Sequence, residues 1–104
     1  MLLSCMNETK WEEIRLAMAK MSPPPVWRTT SLNGDESLPD GDWYYHFITG
    51  GYQTIQYLDI VTSSPEQQKK TGVLLRAIHV VGIEAAYGYR IFGYVDSSSE
   101  ADYL

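Results

Sequence analysis

Two segments with the apolar spacing of amphipathic helices enclose a long stretch of strand-type sequence, and this arrangement restricts the possible folds. In the first segment Trp11, Ile14 and Met18 recur at helical intervals, which predicts a helix over residues 8–21. The second helix is predicted over residues 64–78, because a serine that can cap a helix is followed by a proline suited to the first turn. Both helices need an apolar surface to cover, and the sequence between them must provide it.

β-Branched and aromatic residues dominate four shorter segments, which predict strands at 26–32, 43–48, 52–61 and 89–95. Residues 80–87 read as irregular or as a short strand. The predicted fold class is α+β, in the order α-β-β-β-α-β. Two helices would pack on one face of a roughly four-stranded, mainly antiparallel sheet.

The length of 104 residues fits one domain. Residues 1–6 and 97–104 are expected to be loose termini. Strand alternation in the segment 43–48 would send Trp43, Tyr45 and Phe47 into the core and leave Tyr44 and His46 on the other face.

The negative charge of the chain is concentrated in its middle. The formal net charge is −5, and no lysine or arginine occurs between Arg28 and Lys69. The acids in this interval are Asp35, Glu36, Asp40, Asp42, Asp59 and Glu66. A field of one sign repels nucleic acid and attracts basic partners. The competing interpretation is that acidic loops only keep a small protein soluble.

The sequence contains no recognisable catalytic or metal-binding motif. His46 and His79 are the only histidines, and neither lies in a zinc or nucleophile motif. The lone cysteine, Cys5, cannot form an internal disulfide. We therefore expect no catalytic residue, no metal and no cofactor, although an enzyme that uses one of the histidines stays open as a third possibility. No apolar run approaches the ~20 residues that span a bilayer, so the expected location is the cytoplasm, without membrane binding.

Three motifs carry a resemblance. At PDGDWYYHF, GGYQTIQYLDI and YGYRIFGY the chain resembles a family of small uncharacterised bacterial proteins, over about Trp27 to Tyr94. In size, acidity and lack of catalytic residues it also resembles immunity proteins of bacterial contact-dependent growth inhibition systems. That second resemblance implies binding and neutralisation of a cognate toxin domain in the cytoplasm.

The resulting hypothesis is an immunity protein, not an enzyme, that occludes the surface of a basic toxin domain such as a nuclease. The predicted contact residues are Asp35, Glu36, Asp40, Asp42, Tyr44, His46, Tyr52 and Asp59. The alternative is a small-ligand-binding or regulatory domain with a tyrosine-lined pocket against the sheet.

Overall fold

Among the residues that the structure describes, six strands and two helices follow one another in the order β-α-β-β-α-β-β-β. They are seen in a computed structural model, which describes residues 2–49, 51–96 and 102–104. The strands are β1 (Leu2–Ser4), β2 (Val26–Ser31), β3 (Ile55–Val61), β4 (Gly82–Ala85), β5 (Gly88–Phe92) and β6 (Tyr94–Asp96), and the helices are α1 (Glu8–Ala19) and α2 (Pro65–Ile78).

The main sheet has four antiparallel strands in the order β2-β3-β5-β4, and β1 pairs with β6 in a separate two-stranded ribbon. Both helices contribute buried residues to the same core cluster as the strands, and therefore cover the same face of the sheet. The predicted α+β class is confirmed. β4 lies in the segment 80–87 that was predicted to be irregular or a short strand, the predicted strand 89–95 divides into β5 and β6, and β1 is an addition.

Each helix begins where a polar side chain can accept a hydrogen bond from its first turn. The Asn7 side chain accepts from the backbone N–H of Lys10 at 2.8 Å, and Ser64 Oγ accepts from the N–H of Gln67 at 3.1 Å. His79 caps the C-terminal end of α2 and has the left-handed φ of 70° that often terminates helices.

The core lies between the helices and the main sheet. Leu58 and Ile60 of β3 are fully buried there, facing Ile14 and Met18 of α1 and Leu75 of α2 within one cluster. Aromatic rings extend this core toward the β2 edge, where neighbouring rings lie at centroid distances of 4.8–6.3 Å. These rings are Trp11, Trp27, Trp43, Phe47 and Tyr52.

The predicted strand at 43–48 was wrong, because residues 43–49 form consecutive turns. Trp43 and Phe47, four residues apart, both point into the core, while Tyr45 between them is exposed. Asp42 Oδ1 accepts hydrogen bonds from the backbone N–H groups of Tyr44 and Tyr45, which starts the first turn. The predicted burial of Tyr45 is therefore corrected, since it depended on strand alternation.

Parts of both chain ends are hydrogen-bonded to the rest of the fold. β1 pairs with β6, and the N–H of Leu104 donates to the carbonyl of Val80 at 3.0 Å. Residues 1–6 and 97–104 were expected to be loose termini. Among them, residues 2–4 and Leu104 have backbone groups that are hydrogen-bonded to the rest of the fold. Met1 and residues 97–101 lie outside the described residues.

Candidate functional site

The acidic segment, which we define as residues 33–46, runs along the outer edge of β2. The backbones of Asp40 and Trp27 exchange two hydrogen bonds of 2.9 and 2.8 Å, and the N–H of Ser37 donates to the carbonyl of Thr29 at 2.9 Å. An isolated bridge also joins Glu36 to Thr30. These bonds hold the acidic residues against a rigid sheet and occupy the free backbone groups of an edge strand.

Three of the predicted contact residues form one cluster. His46 Nδ1 lies 2.6 Å from Asp40 Oδ2 and 3.7 Å from Asp42 Oδ2. The other oxygen of Asp40 accepts from the backbone N–H of Asp42 at 2.8 Å. The two carboxylates therefore shape the loop and hold the histidine at its surface.

The contacts in this cluster lower the pKa values of the two carboxyls and raise the pKa of the histidine. The backbone N–H of Asp42 and then the His46 ring lower the pKa of Asp40. The backbone N–H of Tyr44 is the main cause of the lowered pKa of Asp42. The hydrogen bond with Asp40 raises the pKa of His46 above its ordinary 6.5. Protonation of His46 would thus reduce the negative charge of the cluster.

Large apolar side chains are exposed beside these acids. Leu38 is 86% exposed, Tyr45 76% and Tyr44 54%. Exposed anchors of this kind, next to charge, are typical of protein interfaces. Leu38 and Tyr45 were not among the contact residues predicted from the sequence. The proline and glycine around Leu38 could have indicated an exposed turn, whereas Tyr45 required knowledge of the backbone.

Asp35 and Glu36 lie in the acidic segment with exposed side chains. No hydrogen bond or ion pair of either carboxylate is found among residues 2–49, 51–96 and 102–104. They are therefore the carboxylates of the segment that can meet a partner's cations without breaking the loop.

Tyr52 does not belong to this exposed surface. Its side chain is buried against Trp11 and Phe47, and its hydroxyl donates to Glu12 Oε2 at 2.6 Å. Arg15 also binds Glu12, and its guanidinium reaches the carbonyls of Trp43 and Tyr44 at 3.3–3.4 Å. This network fastens α1 to the start of the turn segment, so we leave Tyr52 out of the contact surface.

Asp59 lies elsewhere, on the face of the sheet that the helices do not cover. Its carboxylate is 1% exposed and accepts two hydrogen bonds from Arg90, at 2.8 and 3.1 Å, and one from Arg28 at 3.3 Å. The Tyr87 hydroxyl donates a fourth at 2.5 Å. Because cations of the same chain neutralise Asp59, it cannot serve as an exposed contact residue, and we remove it from the proposed surface.

Hydrogen bonds to Asp59 outweigh the effect of its burial. Burial alone raises the pKa of this carboxyl, but the bonds from Arg90 and Tyr87 bring the pKa below its ordinary value. Arg90 also stacks over the Tyr57 ring at 4.1 Å. The cluster fixes the positions of cross-strand neighbours in β2, β3 and β5.

The two histidines do not converge. His79 caps α2 and its ring stacks on Tyr103 at a centroid distance of 3.9 Å, whereas His46 lies in the acidic segment. Within the described part of the chain, no three histidine, cysteine or acidic side chains are arranged to hold a metal ion. Neither α1 nor α2 has the length and apolar character needed to cross a membrane, as judged over the residues described.

The chain matches one family model over residues 1–98, nearly its whole length, and that model describes a family of unknown function (DUF6678). No curated protein and no solved structure shows a significant match. By the extent of the family match, the chain belongs to the family of unknown function DUF6678.

Proposed function

We propose that the protein binds another protein through the acidic segment, and that it acts as an immunity protein against a toxin domain with a basic surface, such as a nuclease, in the cytoplasm. It acts by occlusion and not by catalysis. The observation that carries the proposal is the exposure of Leu38, Tyr44 and Tyr45 among the carboxylates of residues 33–46.

The surface combines the two properties that protein recognition needs. Asp35 and Glu36 provide exposed negative charge, which speeds the encounter with a basic partner. Tyr44 and Tyr45 offer large contact areas with polar tips, and Leu38 offers an apolar one. The backbone bonds to β2 preorganise the segment, which lowers the entropic cost of binding.

The hydrogen bonds within the loop decide which of its carboxylates can be reversed in a test. Reversing Asp40 and Asp42 would remove the hydrogen bonds that shape the loop, so lost binding could reflect a lost conformation. Reversing Asp35 and Glu36 to lysine changes the charge of the segment without removing a side-chain hydrogen bond seen in the described residues. A control with the same change in charge is Glu8→Lys with Asp102→Lys, since Asp102 adjoins Gly82 at the opposite edge of the sheet.

The test is affinity capture from source cells, with the retained proteins identified by mass spectrometry. We expect the unmodified chain and the Glu8→Lys/Asp102→Lys control to retain the same basic protein. The Asp35→Lys/Glu36→Lys variant and a Tyr44→Ala/Tyr45→Ala variant should lose it. Toxicity of the retained protein in cells lacking this chain, relieved on co-expression, would identify the toxin. Equal retention by all four proteins would contradict the proposed surface.

One groove favours the second candidate function, the binding of a small ligand. It lies between the start of α2 and β4, has a volume of about 650 Å³, and is lined by Tyr89 together with Gln68, Arg76 and Glu84. Gly72 makes room for the Tyr89 hydroxyl, which donates to Glu84 at 3.3 Å. The volume is within the range of small-ligand sites. A screen of polar metabolites by thermal shift would support this function if a stabilising hit were lost in Tyr89→Phe.

A further inference from the structure

An apolar groove runs between α1 and α2 on the side of the helices that faces away from the sheet. Two adjoining hollows of about 580 and 520 Å³ share Met21 and Leu74 in their walls. Leu16 and Val73 border the groove and are 42% and 60% exposed. Two exposed aliphatic side chains beside a continuous groove make a surface that a partner can cover.

The charges along the groove differ at its two ends. The helices are antiparallel there, because Lys10 Nζ near the start of α1 donates to the carbonyl of His79 at the end of α2 at 2.6 Å. Lys69 and Lys70 line the hollow at the end near Met21 together with Glu66, and Lys20, next to Met21 in the chain, lines the adjoining hollow. Glu13 lines the second hollow, which extends toward the end where Lys10 is bonded to His79.

This distribution of charge along the groove is complementary to itself when a second copy is related by a twofold rotation. If a second copy of the chain is turned about an axis through the middle of the groove, its Glu13 end faces the lysine end of the first copy, and the reverse holds at the other end. Such an isologous contact repeats each favourable pairing twice. Leu16 and Val73 of each copy would lie in the apolar centre.

We propose that the groove between α1 and α2 is a homodimer interface that pairs the Glu13 end of each copy with the Lys69–Lys70 end of the other. The occupant of the groove is therefore a second copy of this chain. No residue of the acidic segment lines either hollow, so the dimer and the capture of a basic partner use separate surfaces.

The dimer is tested by sedimentation velocity of the full chain over a range of concentrations. We expect a concentration-dependent dimer, and a weakening of at least about tenfold in Val73→Glu, which puts a charge into the apolar centre. Val73 is exposed, so this variant should keep its circular dichroism spectrum. The matched control is Ile83→Glu, a 52% exposed site on the other face of the sheet, which should dimerise as the unmodified chain does.

A charge-swap cycle tests the twofold pairing itself. Glu13→Lys and Lys70→Glu should each weaken the dimer, because each places like charges opposite one another, and the double variant should recover most of the lost affinity. A monomer at all concentrations would overturn the proposal. So would a dimer that Ile83→Glu abolishes and Val73→Glu leaves intact, or single reversals whose effects simply add.

Discussion

His46 and its two carboxylate neighbours show how single residues combine a structural and an electrostatic role. Asp40 and Asp42 each use an oxygen to accept backbone N–H groups within the loop, and Asp40 uses its other oxygen to bind His46. The carboxylates thus stabilise the turn, while the ionisation of His46 sets how much negative charge the cluster shows.

The pKa of His46 should therefore lie above 6.5, the ordinary value, when it is followed by NMR as a function of pH. Because the folded-state pKa is raised, the stabilisation by this pair is fully present below 6.5 and is lost as pH rises through the folded pKa. Asp40→Asn should lower the pKa of His46, since it removes the main cause of the shift. An unchanged pKa in that variant would show that the contact does not form in solution.

Asp59 is a residue whose role depends entirely on its partners. Its buried carboxylate neutralises Arg90 and Arg28, so Asp59→Asn should lower the free energy of unfolding by about 2 kcal/mol. This loss is smaller than that expected for a fully buried ion pair, because both arginines are partly exposed. Its lowered pKa means that this stabilisation is present above the ordinary 3.8 and is lost as pH falls through the folded pKa.

Urea denaturation measures this difference, with Asp35→Asn as the control. Asp35 is exposed, and its substitution should change the free energy of unfolding by no more than about 0.5 kcal/mol. Equal effects of the two substitutions would contradict the assignment of Asp59 to a buried ion cluster.

At the scale of elements, both helices were predictable from the sequence, and the turn segment at 43–49 was not. The helices are predicted by the spacing of their apolar residues and, for α2, by the capping residue Ser64. Both signals depend on local sequence alone. The turn segment contains the same apolar residues that a strand would have. What decides its form is Asp42, whose carboxylate binds two backbone N–H groups, and the aromatic core that receives Trp43 and Phe47 together.

Alanine substitutions distinguish the turn from a strand. Trp43→Ala should cost about 3–5 kcal/mol of unfolding free energy, because it leaves a cavity among the core aromatics. Tyr45→Ala should change it by no more than about 0.5 kcal/mol, because the side chain lies in solvent. A strand would place both rings on one face, and comparable losses in the two variants, measured by denaturant unfolding, would contradict the turn.

For the whole molecule, the sequence indicated where negative charge is concentrated but could not divide it into surfaces. Asp35 to Asp42 stay together because they are close in the chain, and the structure keeps them along β2. Asp59 does not belong to this acidic surface, because strand pairing places it between Arg28 and Arg90, which are far from it in sequence. Long-range pairing of this kind leaves no mark in local composition.

The proposed attraction of a basic protein by the acidic segment is tested most directly by the association rate constant with the captured partner. We expect Asp35→Lys/Glu36→Lys to slow association by about tenfold or more at low salt, and we expect this difference to shrink as salt screens the charges. The Glu8→Lys/Asp102→Lys control, with the same net charge, should associate much faster than the segment variant. Equal rates for the two variants would show that overall charge, and not this segment, guides binding.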